Sequence, residues 1–354
     1  MRAFLIVVSN LEVGKSQGIG SILGLDNSFK LHIPTLRKMG IFKCAGEKEE
    51  FLTSNCDYGK IAVKNLTIFE QRGQMIGDNS IMNYDSFASE IPNSVCNLVK
   101  DVFRSRPLFC RRGDFQTAVK ECGDSAKAYS SPIIYTNENE SVLNIAVHES
   151  CYKENEFYDL LEMVRNSLSE YNIYNIEGKM FAGQLGDYYK TQRKKSFKKL
   201  SCENNLLTKL AEKGVKCIGV GKVQDYVSSN CFAENYFAKT DILALRTLER
   251  LSKRKENLFV YADLSDYGKI HIAHSDMLSA RLCLESIDQT MLNLIPNLQE
   301  DDLLIFTSDY DLQDSEALVP ILIYQPTKVD KAEDIGELED FKEINRRFEK
   351  HFCL

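Results

Sequence analysis

The feature that most constrains this fold is a series of short, unbroken apolar runs, beginning with AFLIVV at residues 3–8. Unbroken runs rich in β-branched residues are typical of strands that are buried on both faces of a sheet. Four more such runs come late in the chain, at 217–221, 258–264, 303–306 and 319–324. A sheet built from these runs needs helices on both of its faces.

Amphipathic segments between the runs supply those helices. Residues 205–214, 240–257 and 275–298 carry apolar side chains at helical spacing. The alternation of strands and helices predicts an α/β fold with a mainly parallel sheet sandwiched by helices. The charge-rich segment 328–352 is predicted to be an amphipathic terminal helix that packs on this core.

The middle of the chain has a different pattern. Residues 131–136 and 140–150 are predicted strands, and 156–168 is a predicted helix, as in an α+β unit. We therefore expect an inserted α+β domain at 97–205. The α/β core is then formed by residues 1–96 and 206–354.

The charge and the cysteine pattern argue against several classes of protein. A formal net charge of −7 disfavours a nucleic-acid binder, which needs a basic face, and an anionic membrane surface as partner. The eleven cysteines include no CxxC pair, which favours free thiols in a reducing cytosol over a zinc site or a disulfide framework. No run approaches 18 apolar residues, and the first run is too short for a signal peptide. These observations predict a cytoplasmic protein.

The loop SNLEVGKS at 9–16 is close to a phosphate-binding P-loop. It departs from G-x-x-x-x-G-K-[ST] because Ser9 stands where the first glycine belongs. The glycine-rich sequence that follows is a poor helix start, and a P-loop needs a helix N-terminus facing the phosphates. A polar strand-to-loop turn is therefore favoured over a nucleotide site.

Acidic and histidine side chains follow two of the late strands. Ligands of open α/β sheets collect outside the carboxyl ends of the strands, and carboxylates with imidazoles suit Mn²⁺, Zn²⁺ or Fe. A solvated acidic loop is the alternative. The side chains concerned are Asp263, Asp266, His271, His274 and Asp276 after the first strand, and Asp309, Asp311 and Asp314 after the second.

A basic cluster lies in the segment 188–200. Such a cluster can recognise phosphate, but a solvated basic loop is the favoured interpretation. The residues of the cluster are Arg193, Lys194, Lys195, Lys198 and Lys199.

Several segments together resemble the phosphopentomutase family of the alkaline phosphatase superfamily. FLIVV with its polar loop is similar to the family's first strand and metal loop, and SVLNIAVHE (141–149) resembles a strand of its cap domain. VKCIGVGKVQDYVSS (215–229) is similar to V-I-A-I-G-K-I-S-D-I. LQEDDLLIFTSDYD followed by VPILIY (298–324) is similar to E-D-D-L-L-I-I-T-A-D-H-G and V-P-L-L. The resemblance covers most of the chain and implies an alkaline-phosphatase-like core with an inserted phosphopentomutase-like cap domain.

The resemblance also implies a two-metal site, in which paired Mn²⁺ ions flank a phosphorylated threonine and clamp the attacking and leaving oxygens. Here the aspartate expected after the first strand becomes Ser9. The nucleophile position becomes Lys64, and Thr67 is the nearest hydroxyl. In the D-H-G motif Asp309 is kept, whereas Tyr310 replaces the histidine.

The remaining ligand positions are displaced as well. The D-x-x-x-x-G-H pair aligns with Gly268 and Ala273, so that His271 and His274 lie close by but out of register. The last histidine falls near Asp314 or Ser315. Asp309 alone among the expected ligands remains in place.

The retained scaffold and the lost ligands predict a catalytically degenerate phosphopentomutase-like protein without a cofactor, which binds a phosphorylated small molecule or a protein partner. Arg193, Lys194 and Lys195 are the predicted phosphate-binding residues. The alternative is an active Mn²⁺-dependent phosphomutase (an isomerase) or phosphatase, acting on ribose 1- and 5-phosphates through relocated ligands. Such a site would favour Mg²⁺ or Mn²⁺ and would draw on Ser9, Glu12, Asp263, Asp266, His271, His274, Asp309, Asp311 and Asp314.

Overall fold

A computed structural model of the chain describes residues 1–14, 21–48, 52–63, 68–77, 90–137, 142–171, 173, 175–199, 205–310, 317–328 and 331–354. The chain forms two compact units. The core unit is Met1–Met82 with Ser201–Leu354, and the inserted unit is Asn83–Leu200. The sequence placed the insertion at 97–205, and its assignment as a cap domain stays a prediction.

An eight-stranded sheet is the centre of the core unit. Its strands are β1 Arg2–Ser9, β2 Cys56–Ala62, β8 Lys216–Gly221, β9 Glu234–Phe237, β10 Leu258–Leu264, β11 Leu303–Asp309, β12 Leu318–Tyr324 and β13 Asp334–Leu338. Their order is β13-β2-β12-β11-β1-β10-β8-β9. Among the described strands, β12 is antiparallel to both of its neighbours, and every other pair is parallel. The predicted α/β fold with a mainly parallel sheet is therefore confirmed.

Helices cover both faces of this sheet. They are α1 Ile22–Phe29, α2 Pro34–Met39, α3 Ile41–Cys44, α4 Ile68–Ile76, α8 Leu206–Glu212, α9 Asp241–Ser252, α10 Met277–Leu294 and α11 Lys342–Phe352. Alternate residues of a strand point to opposite faces. Accordingly, Leu258 and Val260 of β10 pack in the core that contains α9 and α10. Phe259 between them meets Phe348 of α11 edge-on, with ring centroids 5.0 Å apart.

The inserted unit is an α+β structure. Its strands are β3 Leu108–Arg112, β4 Ile133–Thr136, β5 Val142–His148, β6 Asn175–Gln184 and β7 Asp187–Lys198, and they form one sheet in the order β3-β4-β5-β6-β7. Its helices are α5 Asn93–Phe103, α6 Phe115–Tyr129 and α7 Glu154–Ser167. Two apolar clusters hold them to the sheet, one containing α5 and α7 and the other α6.

Two predicted segments differ in the structure. The basic segment 188–200, predicted as a loop, forms most of β7, because pairing with β6 uses the backbone and an edge strand tolerates solvated lysines. The segment 328–352, predicted as one helix, contains β13 before α11, because β13 pairs with the open edge of β2. The expectation of free thiols holds for nine described cysteines, whereas Cys231 is disulfide-bonded.

The longest described helix, α10, has 18 residues and carries charged side chains. None of the helices in the described ranges combines the length and the apolar character that crossing a membrane requires.

Candidate functional site

The candidate site lies at the carboxyl edge of the core sheet, which we define as the ends of β1, β8, β10 and β11. The central strand β1 ends at Ser9, and parallel register places Ser9 beside Asp309 of β11 and Val7 beside Asp263 of β10. All three polar side chains are buried, with at most 1% of their surface exposed. Two carboxylates and a hydroxyl therefore meet at one edge, where ligands of such sheets usually bind.

A buried arginine from α4 bridges the two carboxylates. Nη2 of Arg72 lies 2.7 Å from Oδ1 of Asp263 and 2.6 Å from Oδ2 of Asp309. Nε of Arg72 donates to the same oxygen of Asp309 at 2.6 Å, and Nη1 donates to the Tyr261 hydroxyl at 3.0 Å. The side chains of Arg72, Asp263 and Asp309 are all fully buried. The guanidinium thus lies between the two carboxylates as a fixed cation.

The surroundings of Arg72 keep it charged. Its guanidinium lies 4.7 Å from the ring centroid of Tyr226, a cation–π distance. Burial alone would lower the pKa of Arg72, but Asp263 and Asp309 outweigh burial and hold that pKa well above its ordinary value. Lys269 donates a hydrogen bond to the Tyr226 hydroxyl and adds a second positive charge at this edge.

The position of Arg72 is set by its neighbour in α4. Gln71 Nε2 donates to the Tyr310 carbonyl at 2.7 Å, and the Tyr310 backbone N–H donates to Gln71 Oε1 at 2.7 Å. This two-way amide contact fixes α4 against the end of β11. The next side chain, Arg72, then reaches Asp309, the residue that precedes Tyr310.

A second carboxylate pair lies nearby at the end of β10. Asp241 N–H donates to Asp266 Oδ2 at 2.7 Å, and Asp266 N–H donates to Asp241 Oδ2 at 3.0 Å. Burial, reinforced by the charge of Asp266, raises the pKa of Asp241 to about 7. Lys222, just after β8, donates to Ser265 Oγ at 2.9 Å and lies 3.5 Å from Asp266 Oδ1. Here too a basic side chain faces the acidic groups.

The histidines of the predicted ligand set lie in a π-helical turn at Tyr267–Ile272 and just after it. His271 is partly exposed, and His274 is exposed with its Nδ1 2.7 Å from the Ile270 carbonyl of its own turn. Gly268 lets this turn approach β1, because a Cβ there would lie 2.3 Å from the Ser9 carbonyl. Within the described ranges, no three His, Cys, Asp or Glu side chains form a group that could hold a metal ion.

Several residues predicted from the sequence fall outside the described ranges. Lys64, Thr67, Asp311 and Asp314 lie outside the described residues, as does Lys15 of the P-loop-like segment. Glu12 is buried and forms a backbone bridge with Ser21.

The three predicted phosphate-binding residues lie on β7 of the inserted unit. Arg193 pairs with Glu149 at 3.2 Å and with Glu154 at 3.6 Å. Lys194 and Lys195 are successive residues of a strand, so their side chains point to opposite faces of the sheet. Both lysines are exposed, and Lys195 lies 5.2 Å from the Tyr158 ring centroid. Phosphate binding by these residues stays a prediction.

Among the described residues of the carboxyl edge, the basic side chains of Arg72, Lys222 and Lys269 were not predicted from the sequence. Carboxylates and histidines are the usual ligands of Mn²⁺ and Zn²⁺, so the predicted ligand set contains no arginine or lysine. A signal was present in IFEQRGQMI, where Gln71 and Arg72 interrupt a short helix that must bury one face. Both side chains are fully buried in the structure.

The described residues do not fit the two-metal site that the resemblance implies. The carboxylate oxygens nearest each other are already bonded to Arg72. A divalent ion about 4 Å from a guanidinium is opposed by about 8 kcal/mol at an effective dielectric constant of about 20. An arginine, unlike a lysine, cannot lose its proton to relieve that repulsion. No step through a metal ion is therefore derived for this site.

Comparisons with known proteins include several phosphopentomutases. No family model matches the chain. A phosphopentomutase from Acetivibrio thermocellus is 24% identical over 91% of this chain and 88% of its own length. A phosphopentomutase from Dictyoglomus thermophilum is 28% identical over 92% of this chain and 88% of its own length.

Among solved structures, the cofactor-independent phosphoglycerate mutase from Thermoplasma acidophilum aligns with a TM-score of 0.41 and 9% identity. That alignment covers 99% of each chain.

Proposed function

We propose that this protein is a divergent relative of phosphopentomutases that binds a pentose phosphate without catalysing metal-dependent phosphoryl transfer. The similarity to phosphopentomutases extends over about nine-tenths of the chain, which supports a shared scaffold and a shared class of ligand. The proposed loss of catalysis rests on one observation, the bridge from Arg72 to Asp263 and Asp309. Asp263 and Asp309 thus share one cation that the chain itself supplies.

The physical argument concerns charge. Metal-dependent phosphoryl transfer uses cations that stabilise the attacking and leaving oxygens and exchange contacts with the substrate. A guanidinium held by two buried carboxylates and an aromatic ring offers no open coordination position. Arg72 is fully buried, so it cannot approach a phosphate ester while it keeps these contacts.

A second candidate is an active metal-dependent mutase or phosphatase, which the activity named for the relatives favours. Because the described residues hold no metal-binding group, this candidate needs ligands from the segments that the structure does not describe. It predicts metal-dependent turnover that Asp309→Asn abolishes.

The test uses the purified full chain, incubated with Mn²⁺, desalted and analysed for metal. The same sample is assayed for interconversion of ribose 1-phosphate and ribose 5-phosphate, and for binding of ribose 5-phosphate by calorimetry, with ribose as the control ligand. We expect substoichiometric metal, no interconversion and saturable binding of the phosphate ester alone. Stoichiometric Mn²⁺ with turnover would establish the second candidate, and failure to bind ribose 5-phosphate would refute the proposed ligand.

The basic residues of β7 provide a test of where the phosphate binds. Lys194 is the cleanest probe, because it is exposed and Arg193 beside it is already paired with two glutamates. We expect Lys194→Glu to weaken binding of ribose 5-phosphate by at least about tenfold, through lost attraction and added repulsion. Lys120→Glu, at an exposed position of α6 in the same unit, is the matched control and should leave binding unchanged. Equal effects of the two variants would assign the change to net charge and reject a phosphate site on β7.

A further inference from the structure

Arg72 contacts two carboxylates at once, as a bound metal cation would. One nitrogen, Nη2, lies within 2.7 Å of oxygens from two different carboxylates. Those carboxylates end β10 and β11, the two strands that flank β1. The arginine comes from a helix that is 191 residues from one carboxylate and 237 from the other in sequence. A positive charge at this point bridges the two strand ends through Asp263 and Asp309.

The same place contains more acceptor oxygens than Arg72 satisfies. Asp263 Oδ2, Asp309 Oδ1 and Ser9 Oγ are buried, and among the described residues they have no hydrogen-bond partner. Buried polar atoms of folded proteins are nearly always paired, so three such atoms at one strand edge are unusual. Carboxylate and hydroxyl oxygens in excess of the local donors form the kind of ligand set that Mg²⁺ or Mn²⁺ binds.

Arg2 is also fully buried, and its ion pair with Asp302 serves as a comparison for Arg72. Arg2 contacts one carboxylate, that of Asp302, and its other donors reach backbone carbonyls, such as that of Ser252 at 2.7 Å. Both oxygens of Asp302 also accept hydrogen bonds, from the backbone N–H groups of Arg2 and Gln299 among others. Asp302 has no unpartnered oxygen, whereas Asp263 and Asp309 have one each among the described residues.

From this contrast we infer that Arg72 is the built-in cation of a latent divalent-metal site formed by Ser9, Asp263 and Asp309. The guanidinium occupies the place of the ion, and its removal leaves an oxygen site that takes Mn²⁺ or Mg²⁺. The inference deepens the proposed loss of catalysis and rests on the same site, but it requires nothing of the pentose phosphate. It also explains why both carboxylates persist without a metal-binding group in the described residues around them.

The experiment measures Mn²⁺ binding to Arg72→Ala in the full chain by thermal unfolding and by the electron paramagnetic resonance signal of free Mn²⁺. We expect one saturable Mn²⁺ site. We also expect the unfolding temperature to rise by about 5–10 °C at a Mn²⁺ concentration about one hundred times the dissociation constant. Wild type should show neither effect. Arg2→Ala is the matched control, because it removes an equally buried arginine from a single carboxylate, and it should gain no Mn²⁺ site.

Two further variants make the test decisive. Arg72→Ala combined with Asp309→Asn should lose the Mn²⁺ response, because one of the two carboxylates is gone. Arg72→Gln is neutral and closer in size to arginine, so it carries the test if Arg72→Ala does not fold with or without Mn²⁺. A folded Arg72→Ala or Arg72→Gln protein without a Mn²⁺ response would overturn the inference, as would an equal response in Arg2→Ala. The pentose-phosphate proposal fails on a different result, which is wild type that does not bind ribose 5-phosphate.

Discussion

Replacement of Arg72 with methionine should destabilise the core unit by an amount that depends on pH. The change removes the positive charge and leaves Asp263 and Asp309 buried together without their shared donor. Breaking a buried ion pair in this way typically costs about 3–5 kcal/mol. The least costly relief is uptake of a proton by one carboxyl, whose pKa in the unfolded chain is about 3.9.

Protonation of one carboxyl sets the free-energy cost of the substitution at each pH. Holding one such carboxyl protonated costs about 4 kcal/mol at pH 7 and about 1.5 kcal/mol at pH 5, since each pH unit contributes about 1.4 kcal/mol. The carboxyl pKa in the folded variant is raised above its unfolded value, so the variant loses stability as pH rises toward the raised value. Burial already raises the pKa of Asp309 in wild type, so we expect a deficit relative to wild type that grows by up to about 1.4 kcal/mol per unit between pH 5 and pH 7.

The assay is urea denaturation at pH 5, 6 and 7, followed by circular dichroism, with wild type and Arg72→Met measured side by side. The double variant Arg72→Met with Asp309→Asn is the control, because it removes the carboxyl that has lost its partner and should recover most of the deficit at pH 7. A deficit that is the same at all three pH values would refute the reasoning. So would a double variant no more stable than Arg72→Met, since the cost would then come from packing rather than charge.

Two more predictions concern the same edge of the sheet. The pKa of Asp241 is raised by burial to about 7, above its value in the unfolded chain, so this group disfavours folding increasingly as pH rises from about 4 to about 7. Asp241→Asn should flatten the fall of the unfolding temperature over that range, and an unchanged slope would contradict the assignment. Gly221 has φ +83°, and a Cβ there would lie 2.2 Å from the Asp263 carbonyl oxygen. Gly221→Ala should cost at least about 1–3 kcal/mol in urea denaturation, while Gly214→Ala, with φ +73° and open space, should cost less.

The negative charges of Asp263 and Asp309 explain why a cation lies at the carboxyl edge. Buried carboxylates at a strand edge need a cation, and a protein can supply one from solution or from its own chain. A metal ion leaves coordination positions for a substrate, whereas the guanidinium of Arg72 directs its donors to Asp309, Tyr261 and Asp263 within the chain. In this structure Arg72 supplies that cation from within the chain. Lys222 and Lys269 add positive charges near the neighbouring strand ends.

The strands of the core sheet could be predicted because their signal is local. An unbroken apolar run such as that of β1 can be buried only between two layers of helices, and this requirement is visible in the sequence itself. The same logic placed Asp309 at a strand end, where the structure has it. The sequence could not predict β7 or β13, because edge strands are solvated on one side and their polar side chains resemble those of loops and helices.

The sequence by itself determined the α/β class and the buried strands. Only the tertiary structure decided which positive charge lies between Asp263 and Asp309. An arginine in a short helix is usually solvated, and the residues around Arg72 in sequence do not indicate which groups it contacts. Packing of α4 against the end of β11 brings Arg72 to carboxylates about two hundred residues away, as the separations of 191 and 237 residues show. Charge compensation in a buried site depends on distance in space, and distance in space is fixed only when the chain has folded.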